Sequence, residues 1–229
     1  MMEAAFHGHA VVSVLTNSGT RLLFDPFITG HQQCDLDAET VEVDVILVTH
    51  AHSDHLGDTV ALAKRTGALV ISTVEIVNYL ARQGLDRLHG MQPGGAFDFD
   101  FGRVKFTPAI HGSSIILEDG TSLTLGLATG ILLTADERTI YHVGDTALYS
   151  DMKLIGERES IDLAFVPIGD NFTMGPEDAK LAVEWLQAKR VIPIHYNTFP
   201  LIKQDPKAFI DSLDEGVGIV PNLGEMIEI

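Results

Sequence analysis

The segment Thr49-His50-Ala51-His52-Ser53-Asp54-His55-Leu56-Gly57-Asp58 holds three histidines and an aspartate within six positions. Neutral imidazoles and carboxylates are the donors that zinc, manganese, iron or nickel take from a protein when thiolates are lacking. The spacing carries geometry. His50 and His52, two apart in extended backbone, point to the same side and can grip one ion. Asp54 and His55, displaced by a turn, can face a second ion beside it. Asp58 reads instead as the N-cap of the helix that follows. So short a motif needs partners from distant segments, and three are on offer: His111-Gly112, Gly144-Asp145-Thr146 and His195 each follow a strand-like run. An isolated strand-end histidine is usually structural, but several strand-end donors in a chain that already carries the cluster favour a metal site.

The elements that must position these side chains follow from the residue pattern. Residues 43–49 form a near-continuous apolar run, the mark of a strand buried on both faces. The turn beyond the carboxyl end of such a strand is where α/β proteins place ligands. Residues 10–16 and 20–25 read as a hairpin joined by Asn17-Ser18-Gly19. Helices are predicted over 58–65, ending before Gly67, and over 73–83, ending at Gly84. In the second half, strands are predicted over 104–108, 114–117, 123–134, 139–143, 162–168 and 191–194. Two strands and a turn account for 120–135. A helix starts at Pro176 and runs to about residue 187, and a last one covers 206–213. The same grammar appearing twice predicts an α/β (α+β) protein, one domain over 1–229 made of two similar halves that share a core.

Composition narrows the chemistry. The chain has 229 residues, with 15 basic against 32 acidic side chains, a formal net charge of −17. Binding a nucleic-acid backbone needs a Lys/Arg stripe that releases counterions, so no nucleic-acid partner is expected. Cys34 is the single cysteine, which excludes an intrachain disulfide and a thiolate cage, whereas histidines number 10. The start lacks the basic and apolar regions of a signal peptide, and the longest uncharged stretch, 120–135, is too short to span a bilayer. These features predict a soluble, cytoplasmic protein with a small-molecule substrate and no membrane partner. They specify no oligomeric state.

His50, His52, Asp54 and His55, followed by His111, Asp145 and His195, resemble the five-part ligand pattern of the metallo-β-lactamase-fold hydrolases in order and spacing over the whole chain. Gly8-His9-Ala10, Asp25-Pro26-Phe27, the run Gly144-Asp145-Thr146-Ala147-Leu148-Tyr149-Ser150-Asp151-Met152 and Gly169-Asp170-Asn171-Phe172-Thr173-Met174-Gly175-Pro176 look like signatures of a small family known only as metal-dependent hydrolases. The chain is also similar, more distantly, to lactonases of sugar-acid phosphates. The resemblance implies an αββα four-layer sandwich with the site at one edge between two sheets. It implies two divalent ions, zinc first and manganese, iron or nickel as alternatives. His50, His52 and His111 would hold one, Asp54, His55 and His195 the other, and Asp145 would bridge them.

Within that resemblance, Asp145 in place of Cys argues against the thiolate-ligated antibiotic-degrading enzymes. His52 in place of Glu argues against the di-iron reductases, and the short interval from Asp145 to His195 leaves no room for the inserted domain of the RNA-processing members. A metal-dependent hydrolase of a small ester, lactone, thioester or phosphoester is therefore expected. An iron-dependent oxidoreductase, a nucleic-acid phosphodiesterase and a non-catalytic metal-binding module stand behind it. Two ions lower the pKa of a bridging water from about 15.7 toward 7 and so supply hydroxide; Asp54 is placed to orient it and take its proton.

Other residues are less specific. His9 alone reads as a core or loop histidine, and the resemblance moves it to the edge of the site. Asp25 reads as a turn residue or as the acceptor for a ligand histidine. Asn171 and Asn197 could donate to a substrate oxyanion, although closing a turn is the simpler reading. His142 and Trp185 read as packing, His7, His31 and His89 as solvated or structural, and Cys34 as an ordinary thiol.

Overall fold

A computed structural model describes all 229 residues, Met1–Ile229. The first sheet is built from β1 (Glu3–Phe6), β2 (Val12–Leu15), β3 (Arg21–Phe24), β4 (Val45–Leu47), β5 (Leu69–Thr73) and β6 (Leu88–Met91) in sequential order. The second contains β7 (Ala96–Phe99) and β8 (Gly102–Pro108). A separate two-stranded ribbon, β9 (Ser114–Ile116) and β10 (Ser122–Thr124), precedes its remaining strands β11 (Thr129–Ala135), β12 (Arg138–His142), β13 (Leu163–Pro167) and β14 (Arg190–Ile194). The short β15 (Ile227–Glu228) returns to pair with β1 at the edge of the first sheet. Helices α1 (Ser53–Leu56), α2 (Thr59–Thr66) and α3 (Val74–Arg82) belong to the first half, and α4 (Met152–Arg158), α5 (Pro176–Leu186) and α6 (Pro206–Asp211) to the second.

Alternation along the strands sorts the core into three layers. In β3 and β4, Leu22, Phe24, Val45 and Leu47 face the other sheet, while Leu23 and Ile46 face α2 and α3 through Leu62, Ile76 and Leu80. In β13, Leu163 and Phe165 face inward, while Ala164 and Val166 meet Ala179, Ala182 and Leu186 of α5. Each sheet thus buries both faces, which is why its central strands read as unbroken apolar runs. The result is the αββα sandwich expected from the sequence. No helix is long and apolar enough to cross a membrane.

Topology decides where the donors go. β1 and β3 are antiparallel to β2 and so parallel to each other and to β4. β8 and β12 are both antiparallel to β11, and β13 and β14 run parallel to β12. His9, Asp25 and His50 therefore leave one sheet, and His111, Asp145 and His195 the other, all past carboxyl ends of strands. Hydrogen bonds stitch this shared edge: Thr129 donates to the Thr49 carbonyl from N (3.1 Å) and Oγ1 (2.9 Å), and His195 N donates to the His9 carbonyl at 2.6 Å.

Several local readings change. The helix expected from residue 73 starts at Val74, because Thr73 ends β5, a strand the pattern did not announce. Residues 123–134 split between β10 and β11. Asp58 occupies the N-cap position of α2, yet its side chain makes no cap bond. Its Oδ2 instead accepts from Ile28 N (2.8 Å) and Thr29 N (2.7 Å), tying the loop after β3 to the metal-motif loop. Gly57 beside it has φ 40°, and an added Cβ would collide with the Pro26 and Phe27 backbone. Gly57→Ala is expected to cost about 1–3 kcal/mol through overpacking. Urea unfolding of wild type and variant checks this; unchanged midpoints would contradict the close approach.

Candidate metal centre

Two groups of donor atoms converge at this edge. His50 Nε2 lies 3.0 Å from His52 Nδ1, and His111 Nε2 lies 3.1 Å from the same nitrogen. In the second group, His195 Nε2 lies 3.7 Å from Asp54 Oδ2. Asp145 stands between the groups, its Oδ2 2.9 Å from His195 Nε2, 3.3 Å from His55 Nε2 and 3.5 Å from His111 Nε2. All seven sequence-predicted ligands are thus brought together. His50, His55, Asp145 and His195 are buried, and His52, Asp54 and His111 partly open to solvent.

The hydrogen bonds behind the site fix which imidazole nitrogens face it. The buried Asp25 accepts from Thr49 N (2.8 Å) through Oδ1, and from Thr49 Oγ1 and His55 Nδ1 (both 2.7 Å) through Oδ2. Because Thr49 spends its hydroxyl proton on Asp25, it accepts from His50 Nδ1 at 3.0 Å. Both histidines consequently carry hydrogen on Nδ1 and direct Nε2 inward, the tautomer control that metal sites need. Asp25 is the ligand-histidine acceptor suggested by the sequence. Thr49 was missed, although it directly precedes the motif, because nothing in its type distinguishes it from a strand residue.

His9 belongs to this outer layer. It is buried, its Nε2 lies 3.0 Å from Asp54 Oδ2 and its Nδ1 lies 2.9 Å from Thr198 Oγ1. Burial pushes its pKa down to about 4, so the ring is neutral near pH 7. An ionised carboxylate only accepts, so His9 donates to Asp54 through Nε2 and accepts the Thr198 hydroxyl proton on Nδ1. His9 therefore holds Asp54 in place. The ring packs 4.2 Å from that of His195.

The two asparagines go elsewhere. Asn197 Oδ1 accepts from Gln204 N at 2.9 Å, closing a turn, and the residue does not line the cavity beside the site. Asn171 is exposed in a left-handed turn, its N donating to Asp170 Oδ1 at 2.8 Å, and it does not line the cavity beside the site. His142 donates to the Ala10 carbonyl at 2.8 Å and stacks on Phe24, as packing predicts. His7 is buried against Asp35 (2.8 Å) and Ser13 (2.7 Å), and His31 stacks on Phe27. Burial raises the Cys34 thiol to about 11, so it is no ready thiolate.

Charge shows what the donors are built for. Burial opposes ionisation of Asp145, yet His195 and His55 hold its pKa well below the ordinary value. Burial likewise opposes charge on His195, but Asp145 and Asp54 outweigh it and raise its pKa to about 9. His55 is held well above its ordinary value against burial by Asp145 and Asp25. His50 goes the other way, pushed well below by burial and then by His55. The buried Nε2 atoms of His55 and His195 meet Asp145 without well-aligned hydrogen-bond geometry, and Oδ1 of Asp145 has no partner. Orphaned polar atoms aimed at one another are costly without a shared ion, so these residues fit divalent cations.

Left-handed backbone recurs at the same place. His9 (φ 52°), Asp25 (φ 43°) and His195 (φ 56°) all lie in this region, which few non-glycine residues adopt and which Asp and His enter more readily than most. Gly144, with φ 70°, precedes Asp145, and a Cβ there would run into the Thr129 carbonyl. Each turn re-aims a side chain at the end of a strand, at a cost of order 1–3 kcal/mol that the surrounding packing offsets.

Comparison with known proteins agrees with this geometry. Residues 20–196 match the beta-lactamase superfamily domain. A UPF0173 metal-dependent hydrolase of Shouchella clausii is 60% identical over 229 residues, spanning 100% of both chains. One from Bacillus subtilis is 57% identical over 229 residues, again 100% of both. A solved metallo hydrolase of the hyperthermophilic archaeon Ignicoccus hospitalis superposes with a TM-score of 0.88 at 32% identity, covering 100% of this chain and 99% of that one.

Metal must displace the protons that neutralise Asp145. Titration of metal-free protein with zinc at pH 7 is expected to release protons, those of His55 and His195 among them, with affinity rising with pH. In the metal-free protein the His195 contribution to stability is full below pH 6.5 and is lost as pH rises through about 9. Calorimetry in buffers of different ionisation enthalpy counts the protons. Heats independent of buffer would contradict this charge assignment.

Proposed function

This chain belongs to the UPF0173 metal-dependent hydrolases of the beta-lactamase superfamily, and we propose that it works with two divalent cations, zinc first among them, on a small ester, lactone, thioester or phosphoester. The observation that supports this reading is the pairing of two donor groups around one buried carboxylate. His50, His52 and His111 suit the first cation, Asp54, His55 and His195 the second, and Asp145 Oδ2 reaches toward both groups. When bound, such a pair supplies Lewis acidity and makes water acidic enough to serve as a nucleophile near pH 7.

The chain's own residues do the rest. Asp54, partly exposed and held by His9 at 3.0 Å, faces the cavity where substrate and water arrive. It orients water through an acceptor oxygen and receives its proton as attack proceeds. Burial alone would raise the Asp54 pKa, but His195 and His9 keep it below the ordinary value in the metal-free protein, so it stays an acceptor near neutrality. Asp25 and Thr49 keep His55 and His50 in the donor tautomer throughout. No serine or cysteine nucleophile is required.

His50→Ala and Asp145→Ala are expected to abolish hydrolysis while reducing the metal content, two per chain in the wild type, measured by elemental analysis of dialysed protein. Free metal at 100 times its Kd adds about 2.7 kcal/mol of stability to a protein that binds it only when folded. Wild type should therefore melt at a higher temperature with metal than after complete removal, and the variants should lose most of that difference. Unchanged melting of the stripped wild type, or wild-type turnover by either variant, would sink the assignment.

A further inference from the structure

Two troughs leave the site and share His52, Ser53 and Asp54. One, of about 730 Å³, runs between Tyr79 and residues 114–118 and is mixed, with Leu56, Ile115, Ile116 and Leu117 beside the polar Ser114 and Glu118. The other, of about 710 Å³, carries no carboxylate or hydroxyl beyond those of Ser53, Asp54 and Asp145 and is the more uniformly apolar. Beyond Ser53 and the donor residues themselves, its walls are Phe27, Phe172, Phe199, Pro200 and Leu201. No lysine or arginine lines either trough.

The apolar wall is held rather than loose. Phe27 stacks on His31 at 5.6 Å between ring centres, and both Phe27 and Phe199 meet the ring of buried His9, at 5.6 and 5.4 Å. The His9 that fixes Asp54 thus also supports this wall. Phe172 and Leu201, at the rim, remain 49% and 65% exposed. Side chains of that size left open beside a polar centre gain by being covered with apolar surface. A phosphate or carboxylate placed against that wall, away from the donor residues, would lose water and meet no lysine or arginine.

We infer that the substrate carries an uncharged apolar group, an aliphatic or aromatic chain next to the bond being cleaved, and that this group lies in the Phe27–Phe172–Phe199–Leu201 trough. The inference rests on the hydrolase reading above and narrows it, setting apart substrates whose phosphate or carboxylate lies away from the reacting bond. The bond's other side extends toward the mixed trough, where Ser114 and Glu118 offer polar contacts.

The test uses the full chain loaded with zinc and a series of linear aliphatic hydroxamic acids, from acetyl to octanoyl, whose head groups ligate zinc. Affinity, read by calorimetry, should rise about threefold to fourfold with each methylene until the trough is filled. Phe172→Ser combined with Leu201→Ser should flatten that dependence. Nitrophenyl esters of the same acids should show a parallel rise in kcat/KM, which a terminal carboxylate on the chain should erase. Equal affinity for all tails, or for apolar and anionic tails alike, would overturn the apolar class and leave the metal hydrolase standing. Failure of zinc-loaded protein both to bind any hydroxamate and to cleave any of these esters would overturn the proposed zinc site and this inference with it.

Discussion

A carboxylate buried among imidazoles needs positive charge beside it, and the arrangement around Asp145 answers that need. Asp145 is 2% exposed, yet it stays ionised because His55 and His195 stand within 3.3 Å of it. In the metal-free chain that charge is protonic. Those same nitrogens are donors once their protons leave, so a cation can take over the proton's electrostatic role and gain directed bonds besides. The hydrogen bonds from Thr49 and His55 to Asp25, and from His9 to Asp54, act to keep donor atoms aimed at that point.

The fold supports this concentration of charge through direction more than through bulk. Two sheets pack a shared apolar layer, and their strands deliver His9, Asp25 and His50 from one side and His111, Asp145 and His195 from the other. Strand geometry would carry each residue straight past the edge. Left-handed turns at His9, Asp25 and His195 bend the chain back, and the bonds from Thr129 to Thr49 and from His195 to His9 hold the two halves in register. Apolar packing sets the separation of the halves and backbone turns set the aim.

The sequence disclosed the parts whose signals are local. Pro176 at the start of α5 and the two-sided burial of β4 and β13 can be read from a few adjacent residues. The convergence of the candidate donors was legible because histidine and aspartate at strand ends carry both identity and placement. Strands β1 and β5 were not, since Glu3–Phe6 and Leu69–Thr73 become strands through partners supplied by the sheet. Asp58 was misread for the same reason. A residue of cap type at a cap position turned its carboxylate to Ile28 and Thr29, which lie 30 and 29 residues away in the chain. His9 and Asn197 illustrate the two outcomes for polar residues near strand ends: one supports a donor, the other closes a turn, and only tertiary contacts separate them.

Two cations are proposed to replace the protons around Asp145. Anomalous diffraction from crystals of zinc-loaded protein, recorded above and below the zinc edge, locates them without reference to activity. Two peaks are expected, one ringed by His50, His52 and His111, the other by Asp54, His55 and His195, with Asp145 in contact with both. A single peak at full zinc saturation, or zinc bound away from Asp145, would contradict the proposal.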